Sequence, residues 1–164
     1  LLITLVGCAT YHGVGPLKSA GENHNSSPGA GAAEDLQLSW PVRNVAINRG
    51  FKEEGQRRHE GLDLHGGRNT PIYAAHSGQV VYAGHKYRGF GNMIIVEFSQ
   101  KWATLYAHLQ AFKVKRGERV STGQLIGLMG RTGHATGVHL HFELIKDKHP
   151  VDPLLYLPTV AKTP

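Results

Sequence analysis

Two short runs of this chain carry side chains that could hold a divalent metal ion. Along a strand successive side chains point to opposite faces. In Gly137-Val-His139-Leu-His141-Phe-Glu143-Leu144, His139, His141 and Glu143 therefore share one face, and Leu140, Phe142 and Leu144 share the other. The apolar face can be buried, which leaves the imidazoles presented side by side. Upstream, His59-Glu-Gly-Leu-Asp63-Leu-His65 repeats the device, with Asp63 and His65 alternating with Leu62 and Leu64. Imidazole nitrogens and carboxylate oxygens are zinc ligands, and a catalytic site uses three of them and leaves a fourth position for water. The chemistry suggested is metal-assisted hydrolysis. With 11 His in 164 residues, about 0.7 His-x-His pairs arise by chance, so the weight rests on strand context and bounding Gly turns.

The elements that must position these residues read as short strands between turns from Trp40 onward. Strands are predicted at 72–75, 79–83, 92–98, 101–107, 114–120, 123–129 and 139–146. The pair 92–98 and 101–107 is joined by a tight turn, 114–120 contains the turn Arg116-Gly-Glu118, and Lys146-Asp-Lys148 turns into His149-Pro150. No segment carries a long helical period, so the fold class is all-β. The stretch from 38 to 158, roughly 120 residues, is long enough to bury a working core.

Three separated motifs resemble the signatures of the LytM/lysostaphin-type zinc metallopeptidases. They are His59-Glu-Gly-Leu-Asp63, Thr104-Leu-Tyr-Ala-His108-Leu109 and Thr136-Gly-Val-His139-Leu-His141-Phe-Glu-Leu144. Gly78-Gln-Val-Val-Tyr-Ala-Gly84 and Gly89-Phe-Gly-Asn92 resemble the intervening strand and loop. The resemblance covers about residues 38–158 and implies a compact antiparallel β-sheet or sandwich domain with a groove walled by loops. It implies Zn2+ held by His59, Asp63 and His141. It also implies His108 and His139 as catalytic residues that orient and deprotonate a water, then stabilise the oxyanion or protonate the leaving amine. The implied activity is endopeptidase cleavage of peptidoglycan cross-links. Some relatives have lost ligands and activate cell-wall amidases. All five positions are retained here, so an enzyme is expected, with a non-catalytic activator partnered by an amidase or other envelope regulator as the alternative.

The other candidates have lesser expected roles. Glu143 is expected to orient a ligand from the same strand face, and His65 either supports Asp63 or is exposed. His134 is a candidate for the groove rim, while His76, His85 and His149 read as surface residues. Glu60 points away from the ligands on a strand, and Trp102 and Tyr106 read as packing. The rhythm of 114–127 is shared with lipoyl- or biotinyl-carrier hairpins, but the modified Lys of a Met-Lys-like tip is missing.

Composition bounds the rest. The formal charge is +6, with Lys and Arg scattered in ones and twos and no nucleic-acid motif, so nucleic acid is not an expected partner. The one cysteine, Cys8, excludes an intramolecular disulfide and zinc sites built from several thiolates. Residues 1–8 form an apolar run ending Val-Gly-Cys8, which resembles a truncated lipoprotein signal whose Cys is lipidated after cleavage. Residues 9–37, rich in Gly, Ala, Ser and Asn, read as a flexible linker. The domain follows at 38–158 and a tail at 159–164. The expectation is a monomer in the periplasm, lipid-anchored to a membrane of the bacterial envelope through Cys8, with peptidoglycan as substrate.

Overall fold

The computed structural model describes residues 36–52 and 58–159. Cys8 and its signal, linker residues 9–35 and tail residues 160–164 lie outside the described residues. Strands β1 (Ile47–Arg49), β2 (Leu62–His65), β3 (Pro71–Tyr73), β4 (Gly78–Gly84), β5 (Met93–Glu97) and β6 (Trp102–Ala107) are followed by β7 (Leu109–Phe112) and β8 (Arg119–Val120). Then come β9 (Leu125–Met129), β10 (His139–Lys146), β11 (His149–Val151) and one 3-10 turn, Pro153–Leu155. Every pairing is antiparallel. The larger sheet runs β1-β2-β10-β6-β5-β4-β8 with β11 also on β10, and a smaller sheet runs β3-β9-β7. The all-β expectation holds.

Alternation explains how the sheets pack. Leu62 and Leu64 of β2, Ile94 and Val96 of β5, and Leu140, Phe142 and Leu144 of β10 join Ile72, Leu109, Ile126 and Met129 of the small sheet in one buried cluster. Each such side chain contributes about 1.5–3 kcal/mol relative to exposure. The opposite face of β10 therefore carries His139, His141 and Glu143. Residues directly opposite in a ladder share a face, and β10 sets His139 against His65 and His141 against both Asp63 and Ala107. A one-residue slip would drive the imidazoles into the core and the leucines out.

Several local expectations needed correction. Strands β1, β7 and β11 are additional, and 114–120 contributes only the two residues of β8. β7 was hidden because one residue, His108, separates it from β6. That residue adopts φ 61, a left-handed conformation uncommon outside Gly, and carries the chain from the large sheet to the small one. The turn of β10 into β11 is as expected, with Asp147 and Lys148 both at positive φ.

His76 is buried, not on the surface as the sequence suggested. Its Nε2 lies 2.9 Å from Thr104 Oγ1, its Nδ1 3.0 Å from Ser77 O, and its ring 4.6 Å from that of Phe98. Burial pushes its pKa down, against the pull of the Ser77 carbonyl. Thr104 Oγ1 is in turn 2.9 Å from the Tyr106 hydroxyl, which accepts the Ala75 N–H at 2.8 Å. Burial pushes that phenol up to about 12, so it stays neutral. Tyr106→Phe strands the buried Ala75 N–H, and its expected cost is about 1–3 kcal/mol, readable as a lower urea midpoint at unchanged slope.

Candidate metal centre

His59 precedes β2 and is held by a two-residue bridge with Lys52, N to O at 2.8 and 3.0 Å. Its Nδ1–H donates to Gly50 O at 2.8 Å, which leaves Nε2 as a bare lone pair. That nitrogen lies 3.1 Å from Asp63 Oδ1 and 3.2 Å from His141 Nδ1, and the last two are 2.9 Å apart. On the far side of its ring, His141 Nε2 meets Glu143 Oε1 at 2.9 Å. A carboxylate in that position fixes which nitrogen is offered inward. Among the described residues, His59, Asp63 and His141 are the one group whose ligand atoms all lie within 4.8 Å of each other.

The triangle fits a tetrahedral ion in size and in chemistry. Ligand atoms about 2.0–2.2 Å from tetrahedral zinc stand about 3.3–3.6 Å from one another, so the triangle of 2.9–3.2 Å needs to open by only a few tenths of an ångström. Two imidazoles and one carboxylate are also donors that zinc accepts without thiolate. The same groups also hold a proton well. Burial pushes His141 down, but its hydrogen bonds to Asp63 and Glu143 outweigh this and raise it to about 9. Burial likewise pushes Asp63 up, yet the His141 hydrogen bond and the His141, His59 and His139 rings leave it below its ordinary value.

Two further imidazoles border the triangle. His139 donates Nδ1–H to Gly137 O at 3.1 Å, and its Nε2 stands 3.6 Å from Asp63 Oδ1. His108 donates Nδ1–H to Thr132 O at 2.9 Å, and its ring lies 4.7 Å from His139 and 5.9 Å from His141. Burial takes His108 down to about 4, more than the Thr132 carbonyl restores, so it is neutral at pH 7 with Nε2 an acceptor.

All five residues singled out from the sequence thus meet in one place. Glu60 turns outward and pairs with Arg58 at 2.7 Å. His65, His85, His134 and His149 are exposed, and His65 is the register partner of His139. Trp102 and Tyr106 are buried in the core. The contributions of Gly50 O, Thr132 O and Phe90, whose ring is 5.9 Å from His141, were not foreseen. Backbone carbonyls leave no trace in residue type, although Gly91 and Gly133, both at positive φ, mark the loop crossing beside His108.

Fold and site together define the class: a two-sheet antiparallel β domain with a His/Asp/His triangle suited to a divalent metal and two further imidazoles beside it. Residues 57–153 match Peptidase family M23, and the chain belongs to that family. It is 39% identical over 125 residues to the lipoprotein YgeR of Escherichia coli, covering 76% of this chain and 49% of that protein. It is 37% identical over 119 residues to the murein hydrolase activator NlpD of the same organism, covering 73% and 31%. The chain therefore spans about half of the first relative and a third of the second. A zinc-containing peptidase from Vibrio cholerae superposes with TM-score 0.64 at 35% identity, over 69% of this chain and 37% of that one.

Proposed function

We propose that this chain is a zinc-dependent endopeptidase that hydrolyses peptide bonds in the cross-links of bacterial peptidoglycan, held at an envelope membrane through a lipid on Cys8. The supporting observation is the convergence of His59 Nε2, Asp63 Oδ1 and His141 Nδ1 at 2.9–3.2 Å. Two imidazole nitrogens and one carboxylate oxygen converging on one point are the donor set of a catalytic zinc site with its fourth position left open. The lipoprotein relative supports the anchor, and the murein-related one supports the substrate class.

Zinc, when bound by those three side chains, supplies Lewis acidity that acidifies a water and polarises the scissile carbonyl. The chain's own side chains handle the protons. Neutral His108 accepts the proton of the attacking water at Nε2. His139, anchored through Nδ1–H on Gly137 O, keeps Nε2 on the Asp63 side, where it accepts a hydrogen bond from that water and orients it, and the proton taken up by His108 passes on to the leaving amine. The buried apolar cluster of Met93, Leu105 and Ala107, with Phe90 packed on it, gives the site a low-dielectric wall that strengthens each of these interactions.

A second reading is favoured by one observation, the activator name of the relative cited above: a non-catalytic module that binds and switches on a cell-wall amidase. Digestion of purified cross-linked peptidoglycan, read as released muropeptides, separates the two. The enzyme reading expects cross-linked dimers to fall to monomers, with cleavage stopped by chelator and restored by zinc. Intact dimers after treatment with folded, zinc-loaded protein, together with faster glycan-strand release when an amidase is added, would establish the activator.

A further inference from the structure

The loop 131–134 crosses the loop 88–92 beside His108, and the crossing is bonded throughout. Thr132 Oγ1 accepts the Asn92 N–H at 2.9 Å and donates to Leu109 O at 3.0 Å. Asn92 Nδ2 donates to the same Leu109 carbonyl at 3.0 Å, and Leu109 N–H returns a bond to Asn92 O at 3.0 Å. His134 N–H bonds Gly89 O at 3.0 Å, and His108 N–H bonds Phe90 O at 2.9 Å. Gly91 and Gly133 both take positive φ, and a Cβ on either would be driven into the backbone of the opposite loop. The left-handed backbone of His108 is thus gripped through its own N–H, through both the N–H and the carbonyl of Leu109, and through its ring.

We propose that Thr132 is the positioning residue of His108. Its carbonyl sets the Nδ1–H form of the ring, and its hydroxyl, by tying Asn92 to Leu109, holds that carbonyl in line. This rests on the peptidase reading only in giving His108 a role in the reaction. The arrangement itself is a property of the crossing. Without the hydroxyl, the Asn92 N–H loses its partner and the two loops lose their shared fastening. The ring then tilts or exchanges its proton between nitrogens, and Nε2 ceases to be a fixed acceptor. Misplacement of a reacting group by about 1 Å is enough to cost about a hundredfold in rate.

Thr132→Val keeps the side-chain shape and removes the hydroxyl, whereas Thr132→Ser retains it. On the full zinc-loaded chain, Thr132→Val is expected to lower kcat by ten- to a hundredfold, roughly, as misplacement predicts. KM and zinc stoichiometry stay near those of the parent, and Thr132→Ser recovers most of the rate. Long-range 1H–15N spectra of the His rings provide a readout that needs no activity. The parent should show His108 as the pure Nδ1–H form, and the Val variant a mixture. A parent spectrum showing the Nε2–H form overturns the proposal even if the Val variant cannot be folded. An equal loss of kcat in the Ser variant overturns it too, as does a Val variant with parental kcat and spectrum. If the parent cuts no peptidoglycan, the peptidase reading fails, and the spectra alone still decide whether Thr132 places His108.

Discussion

Asp63→Asn is expected to leave cross-linked peptidoglycan uncut at zinc concentrations that saturate the parent protein. Asp63 Oδ1 is the sole carboxylate oxygen of the triangle, 2.9 Å from His141, 3.1 Å from His59 and 3.6 Å from His139. The substitution preserves volume and removes the charge, so the sheet register around β2 and the buried Leu62 and Leu64 are undisturbed. What disappears is the one negative charge of the triangle. Loss of an outer hydrogen-bonding partner costs about ten- to a hundredfold in metal affinity, and loss of a ligand should exceed that. Equilibrium dialysis should show zinc affinity down by more than about a hundredfold on that comparison, with muropeptide release at background and cooperative unfolding retained. Parental zinc affinity in the Asn variant would remove Asp63 from the ligand set. A variant that binds no zinc, cuts nothing and still stimulates an added amidase as the parent does would move the weight to the activator reading.

The site was more legible in the sequence than the fold was. Alternation of residue type is strict in Leu62–His65 and from His139 to Leu144, because the leucines and Phe142 all enter the core cluster. That periodicity brought out Asp63, His139 and His141, and the resemblance to the LytM/lysostaphin-type family added His108 and gave His59 its place among them. What stayed hidden depends on partners distant in sequence. Nothing in Ala75-His76-Ser77 announces that Thr104, 28 residues on, receives the His76 ring. Ile47–Arg49 is exposed at all three positions and has no apolar face to reveal a strand. Leu109–Phe112 is separated from β6 by one residue, and only the left-handed backbone of His108 shows that the chain changes sheets there. The carbonyls of Gly50 and Thr132, which set the tautomers of His59 and His108, are side-chain-independent and invisible to any motif.

Zinc loading of this chain should release about one proton near neutral pH and tighten as pH rises, up to about tenfold per unit. The cause is His141. In the metal-free protein it is raised to about 9, because Asp63 and Glu143 hold its imidazolium from both sides against the pull of burial. The ligand nitrogen is therefore blocked by the proton that zinc must expel. A folded-state pKa raised above the ordinary 6.5 stabilises the metal-free protein fully below about pH 6.5 and loses that contribution as pH climbs through about 9. Zinc takes only the neutral ring, so its stabilisation grows over the same interval. Melting temperatures with chelator and with zinc should thus diverge steadily between pH 6.5 and 9. Binding heats at pH 7 should also vary with the ionisation enthalpy of the buffer. Glu143→Gln keeps an acceptor 2.9 Å from His141 Nε2 but removes the charge, so it should reduce the proton count and the buffer dependence together. Buffer-independent heats in the parent at pH 7 would mean that His141 is already neutral, and the two carboxylates would then serve only to orient it.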